Sequence, residues 1–376
     1  MTDPSRGASS SRRRLLSGAG AATAAGLAGC AGLFETRTVR TQPVLDDRPD
    51  AIYVPTHVEG MKLAGRVEAG PYRCALAYSY PHRFWTVTGE HTEKVPLQDE
   101  DSVHLMPVVW DAESGVVPPD LSPHLTISRD GNQVDSLGPW QMLSQRMGFH
   151  FGDNVALPGE GTYDVSVRVG APTLARRGSL ADNAGGETFS FTLEYSNSAV
   201  EDISYRDVPA DREGTRGAVD LMDMDMLPDT RAPAADDLPG TVRGTARTGD
   251  VRYAVTTLDD PAGGGGSDGG VGGADGRAGD GGAGTYLAVS ARARYNRVVL
   301  PTMGLSATLS RGGTTVVDDV LPGAIGPALG THYGATVPSV TSGDELTVTV
   351  DAPPQAARHE GYETAFFDVG EVTLTL

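Results

Sequence analysis

Lysine is nearly absent from this 376-residue chain. Lys62 and Lys94 are the only two lysines, so all but two of the 30 basic residues are arginine, against 49 acidic residues. The formal net charge of −19 argues against a nucleic acid partner, because the phosphate backbone would be repelled. This excess of carboxylates with so little lysine is typical of an extreme halophile, in which multimolar salt screens charges beyond about 3 Å.

Cysteine is equally scarce, and no disulfide is expected. Cys74 lies in an apolar, strand-like run and is predicted to be a core residue. Cys30 ends a Leu-Ala-Gly-Cys sequence that resembles a lipobox, and the arginines at 12–13 resemble the twin arginine of a Tat export signal. The sequence therefore predicts a signal over residues 1–30 and a lipid on Cys30, which would hold the protein on the outer face of the cytoplasmic membrane.

A long apolar run is also missing. Residues 15–29 are apolar, but a membrane-spanning helix needs about 20 residues. A short, uncleaved membrane helix is the alternative to the lipoprotein signal.

The sequence contains none of the common catalytic motifs. It lacks Gly-x-Ser-x-Gly, Cys-x-x-Cys, His-Glu-x-x-His and a phosphate-binding glycine loop with its lysine. We therefore expect a protein that is not an enzyme.

Short strand-like runs dominate the rest of the chain. Runs of five to eight residues rich in Val, Thr, Tyr and Phe end at Gly, Pro, Asp or Asn, a pattern typical of antiparallel sandwiches. We predict an all-β protein with two tandem immunoglobulin-like β-sandwich domains. The predicted segments are a tether (31–48), domain one (49–198), an acidic Met-containing linker (199–240) and domain two (241–376) with a disordered, Gly-rich insert (262–284).

Domain two is predicted to be a diverged copy of domain one, because similar segments recur in the same order. The matched pairs are 72–76 with 252–255, 103–109 with 285–291, 124–131 with 306–313, and 149–155 with 331–337.

Domain one carries a set of soft metal ligands: His104, Met106, Met142 and His150. Residues i and i+2 of a strand share a face, so His104 and Met106 can point the same way. Imidazole with thioether suits copper, and Cu(I) above all. The alternative is that the methionines fill the core and His150 satisfies a backbone carbonyl.

A second soft-metal candidate is the run Met222, Met224 and Met226, which alternates with aspartates. Thioether runs of this kind can hold Cu(I). Packing of all three side chains against a domain is the alternative.

Residues 142–165, with His150-Phe151-Gly152 at their centre, resemble the periplasmic iron-transport-associated proteins of bacteria. Domain one also resembles a haloarchaeal Tat-exported lipoprotein family of unassigned function. The first resemblance implies an immunoglobulin-like fold that binds copper and assists iron uptake, with His104 and His150 on ligand positions. Met142 is one residue out of register with the family methionine, and Met106 replaces a glutamate of an iron-type site.

The last histidine of the family pattern is missing from domain one. Arg176 and Arg177 stand where it is expected, whereas His359 occupies the corresponding place in domain two. Domain two also keeps His332. The resemblance therefore leaves open a composite site in which His359 joins the ligands of domain one.

Together these patterns predict a cell-surface lipoprotein that binds copper, with iron as a second candidate, and assists metal uptake. The expected partners are the membrane, a metal permease and a second copy of the chain in a homodimer. The alternative is a metal-free structural or interaction module that binds a partner through the aromatic cluster around His82 or the Met-Asp segment 221–227. The aromatic cluster could equally be a plug within its loop. His57 and Glu59 are expected on a solvated strand edge.

Overall fold

The computed structural model describes residues 44–182, 185–260 and 284–376. Cys30 and the predicted export signal lie outside the described residues. So does the predicted Gly-rich insert, except for Gly284, which begins a strand. No helix among the described residues is long and apolar enough to span a membrane.

The described residues are almost entirely β, which confirms the predicted fold class. The first half of the chain forms β1 (His57–Glu59), β2 (Lys62–Ala69), β3 (Tyr72–Ser79), β4 (Phe84–Thr88), β5 (His91–Val95), β6 (Val103–Asp111), β7 (His124–Arg129), β8 (Asn132–Leu137), β9 (Trp140–Ser144), β10 (Gly148–Val155), β11 (Gly161–Arg168), β12 (Ala175–Arg176), β13 (Thr188–Tyr195), the helix α1 (Asn197–Glu201) and β14 (Tyr205–Asp207).

The second half of the chain forms β15 (Thr241–Thr248), β16 (Val251–Asp260), β17 (Gly284–Ala293), β18 (Gly304–Arg311), β19 (Thr314–Val320), β20 (Gly323–Gly326), β21 (Gly330–Val337), β22 (Glu345–Ala352), β23 (Ala357–Arg358) and β24 (Val372–Thr375). Two short 3-10 turns cover Gly178–Asp182 and Ala235–Asp237.

Successive side chains of a strand point to opposite faces of the sheet, and this explains which residues of the outer and the central strands are buried. Along β13 each second residue is buried, so one face packs on the core and the other meets solvent. Along β6 every residue is buried. Val103, Leu105 and Val109 enter the sandwich core, and the opposite face of this strand, which carries His104, is covered as well. Central strands of this kind can therefore place polar side chains in a buried layer outside the sandwich.

The strands form two sandwiches and one small two-stranded sheet, β1–β14. In the first sandwich, a sheet in the order β2-β3-β6-β10-β9-β23-β4-β5 shares a core with a sheet in the order β13-β11-β7-β8. In the second, the order β12-β20-β21-β17-β16-β15 shares a core with β19-β18-β22-β24.

Each half of the chain contributes a short strand to the sheet of the other half. β23 lies between β9 and β4 in the first sandwich, and Ala357 pairs in parallel with Met142. β12 lies at the edge of the second sandwich, and Ala175 pairs in parallel with Ala324. The two exchanges are equivalent under the internal repeat. The predicted domain boundaries remain a prediction, but the two halves are joined by backbone hydrogen bonds and not by a linker alone.

The hydrophobic core of the second sandwich also extends into the first half of the chain. Leu143, Phe149 and Phe151 on the β9–β10 hairpin belong to the same buried cluster as the core side chains of β16, β17 and β22. The two halves therefore share apolar burial, and we expect them to unfold as one cooperative unit.

Phe151→Ala should lower the free energy of unfolding of the whole protein by about 3–5 kcal/mol, because it opens a cavity in the shared core. The measurement is denaturant unfolding followed by both circular dichroism and tryptophan fluorescence. Trp140→Ala on the neighbouring strand is the control, since this side chain is 47% exposed. Two separate transitions, of which Phe151→Ala moves only one, would contradict the shared core.

Candidate metal centre

The predicted ligands of the first half lie on one face of its large sheet. His104 and Met106 alternate along β6 on the face that points away from the sandwich core. His150 on β10 lies directly opposite Met142 on β9, so these two side chains also share a face. From the sequence, residues 140–150 are predicted to form a loop over the open end of the sandwich. This prediction is wrong, because the segment is a β-hairpin within the sheet.

Four histidines converge on this face. The ring centroids of His82 and His104 lie 4.1 Å apart, and those of His82 and His359 lie 4.7 Å apart. His359 is also 5.2 Å from His150 and 5.6 Å from His104. One ligand nitrogen from each of His82, His104 and His359 fits within 4.8 Å of the others. The pairing of β23 with β9 brings His359 to this cluster, because the backbone N–H of His359 donates to the carbonyl of Leu143 at 3.0 Å.

Hydrogen bonds at Nδ1 fix the orientation of three of these rings. Nδ1 of His104 lies 3.0 Å from Oδ1 of Asn154, and Nδ1 of His150 lies 3.2 Å from the carbonyl oxygen of Gly148. Nδ1 of His82 lies 3.0 Å from the carbonyl oxygen of Tyr80. Because these oxygens accept hydrogen bonds, the ring proton is assigned to Nδ1 and the lone pair to Nε2.

The Nε2 atoms of all four histidines are buried and have no hydrogen-bond partner among the described residues. A buried polar atom without a partner costs about 1–3 kcal/mol. Four such atoms on neighbouring rings, three of which have the opposite nitrogen held by a hydrogen bond, match the donor set that a bound metal ion requires.

Asn154 and Gly152, which follow His150 on β10, both help to place the histidine rings. Oδ1 of Asn154 also accepts from the backbone N–H of His82, and its Nδ2 donates to the carbonyl of His82 at 2.9 Å. One amide therefore holds two of the histidines. At Gly152, a Cβ atom would lie 2.6 Å from Nε2 of His104, so only glycine leaves room for this ring.

Burial keeps the imidazoles of His104, His150 and His359 neutral. It is the largest cause of the lowered pKa of His104 and His359, and it lowers the pKa of His150 to about 4. Nearby histidines lower the pKa of each further, since two adjacent imidazolium ions repel. Neutral imidazole is the form that binds metal ions.

Glu59 supports His82 from outside the cluster. Its Oε1 lies 3.1 Å from Nε2 of His57, and its Oε2 lies 3.7 Å from Nδ1 of His82. Burial alone would raise the pKa of Glu59, but His82 and His57 outweigh burial and lower it to about 2. The expectation of a solvated strand edge is wrong for this pair, because β1 is covered through its pairing with β14 and His57 stacks on Tyr205.

The equivalent place in the second half holds a different set of side chains. Tyr286 replaces His104, and its hydroxyl lies 3.0 Å from Nε2 of His332. The guanidinium of Arg177, at the position equivalent to His359, lies 3.6 Å from the Tyr286 ring centroid. His332 therefore has its Nε2 paired and does not join the four-histidine cluster. Ala324 takes the place of Met142.

The methionines have separate surroundings. Met142 is fully buried against Phe84 and Ala357, beside the cluster. Met106 lines a cavity together with His82 and His359. Met222 and Met224 also line cavities next to the cluster, whereas Met226 is 41% exposed. None of these last three residues lies in a strand.

Sequence reasoning missed His82 as a ligand candidate. A signal was present, because His82 follows β3 by three residues, and Ser79 at the end of β3 pairs with His104. A histidine just beyond that paired position can reach its neighbour across the strands.

Two protein-family models match the chain, and each match includes different histidines of the cluster. A family described as Fe2+ transport protein matches residues 88–198, which include His104 and His150. A domain of unknown function, DUF7350, matches residues 236–375, which include His359. Neither match covers half of the chain. A comparison with curated protein sequences gave no match.

Among solved structures, the chain is similar to a copper-bound variant of FetP from uropathogenic Escherichia coli strain F11. The identity is 18% and the TM-score 0.28, over 36% of this chain and 97% of that chain. A copper-bound variant of Campylobacter jejuni P19 is similar at 13% identity and a TM-score of 0.27, over 37% of this chain and 97% of that chain.

Acid should destabilise the metal-free protein. Burial lowers the pKa of His332 to about 4, whereas the pKa of a histidine in an unfolded chain is about 6.5. Its contribution to stability is complete above pH about 6.5 and is lost as the pH falls towards 4, because only the unfolded chain takes up the proton in that range. His332→Gln should reduce the slope of the free energy of unfolding against pH, measured by denaturant titration.

His91→Gln, at an exposed histidine, is the matched control and should leave the slope unchanged. A His332→Gln variant with the wild-type slope would show that this imidazole is not held neutral by burial.

Proposed function

We propose that this protein binds copper through Nε2 of His82, His104, His150 and His359 and assists metal uptake at the cell surface. The observation that carries the proposal is the set of four buried, unpartnered Nε2 atoms, supplied by both halves of the chain. A bound ion would satisfy all four lone pairs at once.

The donor set favours copper over iron. The cluster offers imidazole nitrogens, with thioethers close by, and these ligands suit copper. Iron(II) sites commonly include a carboxylate, but the two carboxylates beside the cluster have other partners: Glu59 faces His57 and Nδ1 of His82, and Glu360 pairs with Arg83. Met106 also occupies the strand position at which a glutamate would supply a hard oxygen ligand.

A metal-free interaction module accounts less well for these residues. Hydrophobic side chains would fill the same buried layer without leaving four nitrogen atoms unpaired. The second half provides that comparison within the molecule, because there Tyr286 and Arg177 cover the equivalent position and His332 is hydrogen-bonded.

The export signal in the sequence and the family match support the cellular setting in this proposal. The match of residues 88–198 to an Fe2+ transport protein family supports a role in metal uptake. Tat export and a lipid on Cys30 would hold the chain on the outer face of the cytoplasmic membrane, where a metal permease is the expected partner. The protein would bind and transfer the ion without enzymatic turnover.

Replacement of single ligands tests the site. His104→Ala, His150→Ala and His359→Ala should each weaken copper binding by roughly 100-fold or more, beyond the roughly 10–100-fold loss expected for the outer-shell variant Asn154→Ala. Isothermal titration and competition with a copper chelator measure the affinity. His332→Ala is the matched control and should bind copper like the wild type. Equal losses in the control and the ligand variants, or no loss in any of them, would contradict the proposed site.

A second test replaces the glycine that leaves room for the ring of His104. Gly152→Ala places a methyl group 2.6 Å from Nε2 of His104, so the ring must move and copper affinity should fall sharply. Gly334→Ala places the same group 2.6 Å from both the hydroxyl of Tyr286 and the backbone oxygen of Leu287, away from the histidine cluster, and should leave copper affinity unchanged. Chelator competition on both variants measures the effect, and wild-type affinity in Gly152→Ala would overturn the placement of His104 in the site.

A further inference from the structure

A cavity of about 100 Å³ lies beside the histidine cluster. His82 and His359 form part of its wall. Another part is formed by four methionines: Met61, Met106, Met147 and Met222. The proposed copper site therefore opens onto a space that thioether groups line.

A second cavity, of about 330 Å³, shares Met61, Met147 and Met222 with the first. It is also lined by His150 and Met224. The three shared methionines are half-buried, so part of each residue is open to solvent. Each cavity thus includes at least one of the cluster histidines and the same three thioethers.

Hydrogen bonds to the backbone hold Met147 and Met222 in place. The N–H of Met222 donates to the carbonyl of Arg146 at 2.8 Å, and the hydroxyl of Thr230 donates to the carbonyl of Met147 at 2.7 Å. The guanidinium of Arg146 donates to the carbonyl of Asp220 at 2.7 Å. These bonds fix residues 220–230 across the turn between β9 and β10, next to His150.

Three kinds of side chain line these two cavities. Asp223 and Asp225, both exposed, line the second cavity and attract cations. The thioethers are neutral, soft ligands that prefer Cu(I) to Zn(II). Imidazoles are the third kind.

We propose that Met61, Met147 and Met222 form a second, thioether site for Cu(I) at the entrance to the histidine cluster, from which the ion passes to the imidazoles. The destination of the ion rests on the proposed function, but the thioether site itself does not.

Titration of the purified protein with Cu(I) tests this site. It is performed without oxygen, against a colorimetric Cu(I) chelator, in a chloride-free sulfate buffer of high ionic strength because chloride itself binds Cu(I). The wild type should take up one tight and one weaker equivalent. A variant with Met61→Leu, Met147→Leu and Met222→Leu should lose the weaker equivalent and keep the tight one, since leucine preserves volume but removes the sulfur.

Met226→Leu is the matched control, because this methionine belongs to the same segment but lines neither cavity. It should retain both equivalents. Zn(II) binding should be the same in the triple variant as in the wild type, which also shows that the variant is folded. If the triple variant does not fold, the three single Met→Leu variants replace it, and each should weaken the second equivalent by roughly tenfold.

The outcomes separate the two proposals. Retention of both equivalents by the folded triple variant overturns the thioether site and leaves the histidine site standing. Loss of only the tight equivalent in His150→Ala supports both sites. A wild type that binds only the weaker equivalent, removed by the Met→Leu changes, overturns the proposed function and retains the thioether site.

Discussion

The pairing of the two-residue strand β23 with β9 is the interaction on which the site depends. It places Ala357 beside Met142 and brings His359 against the three histidines of the first half. Without it, the first half alone would present a cluster open on one side. The shared core around Phe149 and Phe151 stabilises the same contact, since it fixes β9 and β10 against the second sandwich.

The internal repeat gives the molecule two equivalent positions with different contents. In one, imidazoles face each other with free lone pairs. In the other, the hydroxyl of Tyr286 pairs with His332, and Arg177 stacks on the tyrosine. Glycine is kept in both, at Gly152 and Gly334, because each must accommodate a ring from the neighbouring strand. One half has thus kept the geometry of a ligand site while its polar groups satisfy one another.

Much of this arrangement could be predicted from the sequence. Alternation along β6 and β10 places His104, Met106 and His150 on one face, and the all-β fold follows from short runs that end at turn residues. The exchanged strands could not be predicted in the same way, because a two-residue strand has no periodicity. His82 was missed for a related reason, since it lies in a loop whose position depends on Asn154 across the sheet. Contacts of this kind join residues that lie far apart in the sequence, so a local sequence pattern does not reveal them.

The central claim is that side chains from both halves of the chain hold one copper ion. Diffraction at the copper absorption edge, from crystals of the copper-loaded protein, tests it most directly. The account predicts an anomalous peak among the Nε2 atoms of His82, His104, His150 and His359. A sole peak elsewhere, at the carboxylates of the surface or beside His332, would contradict it.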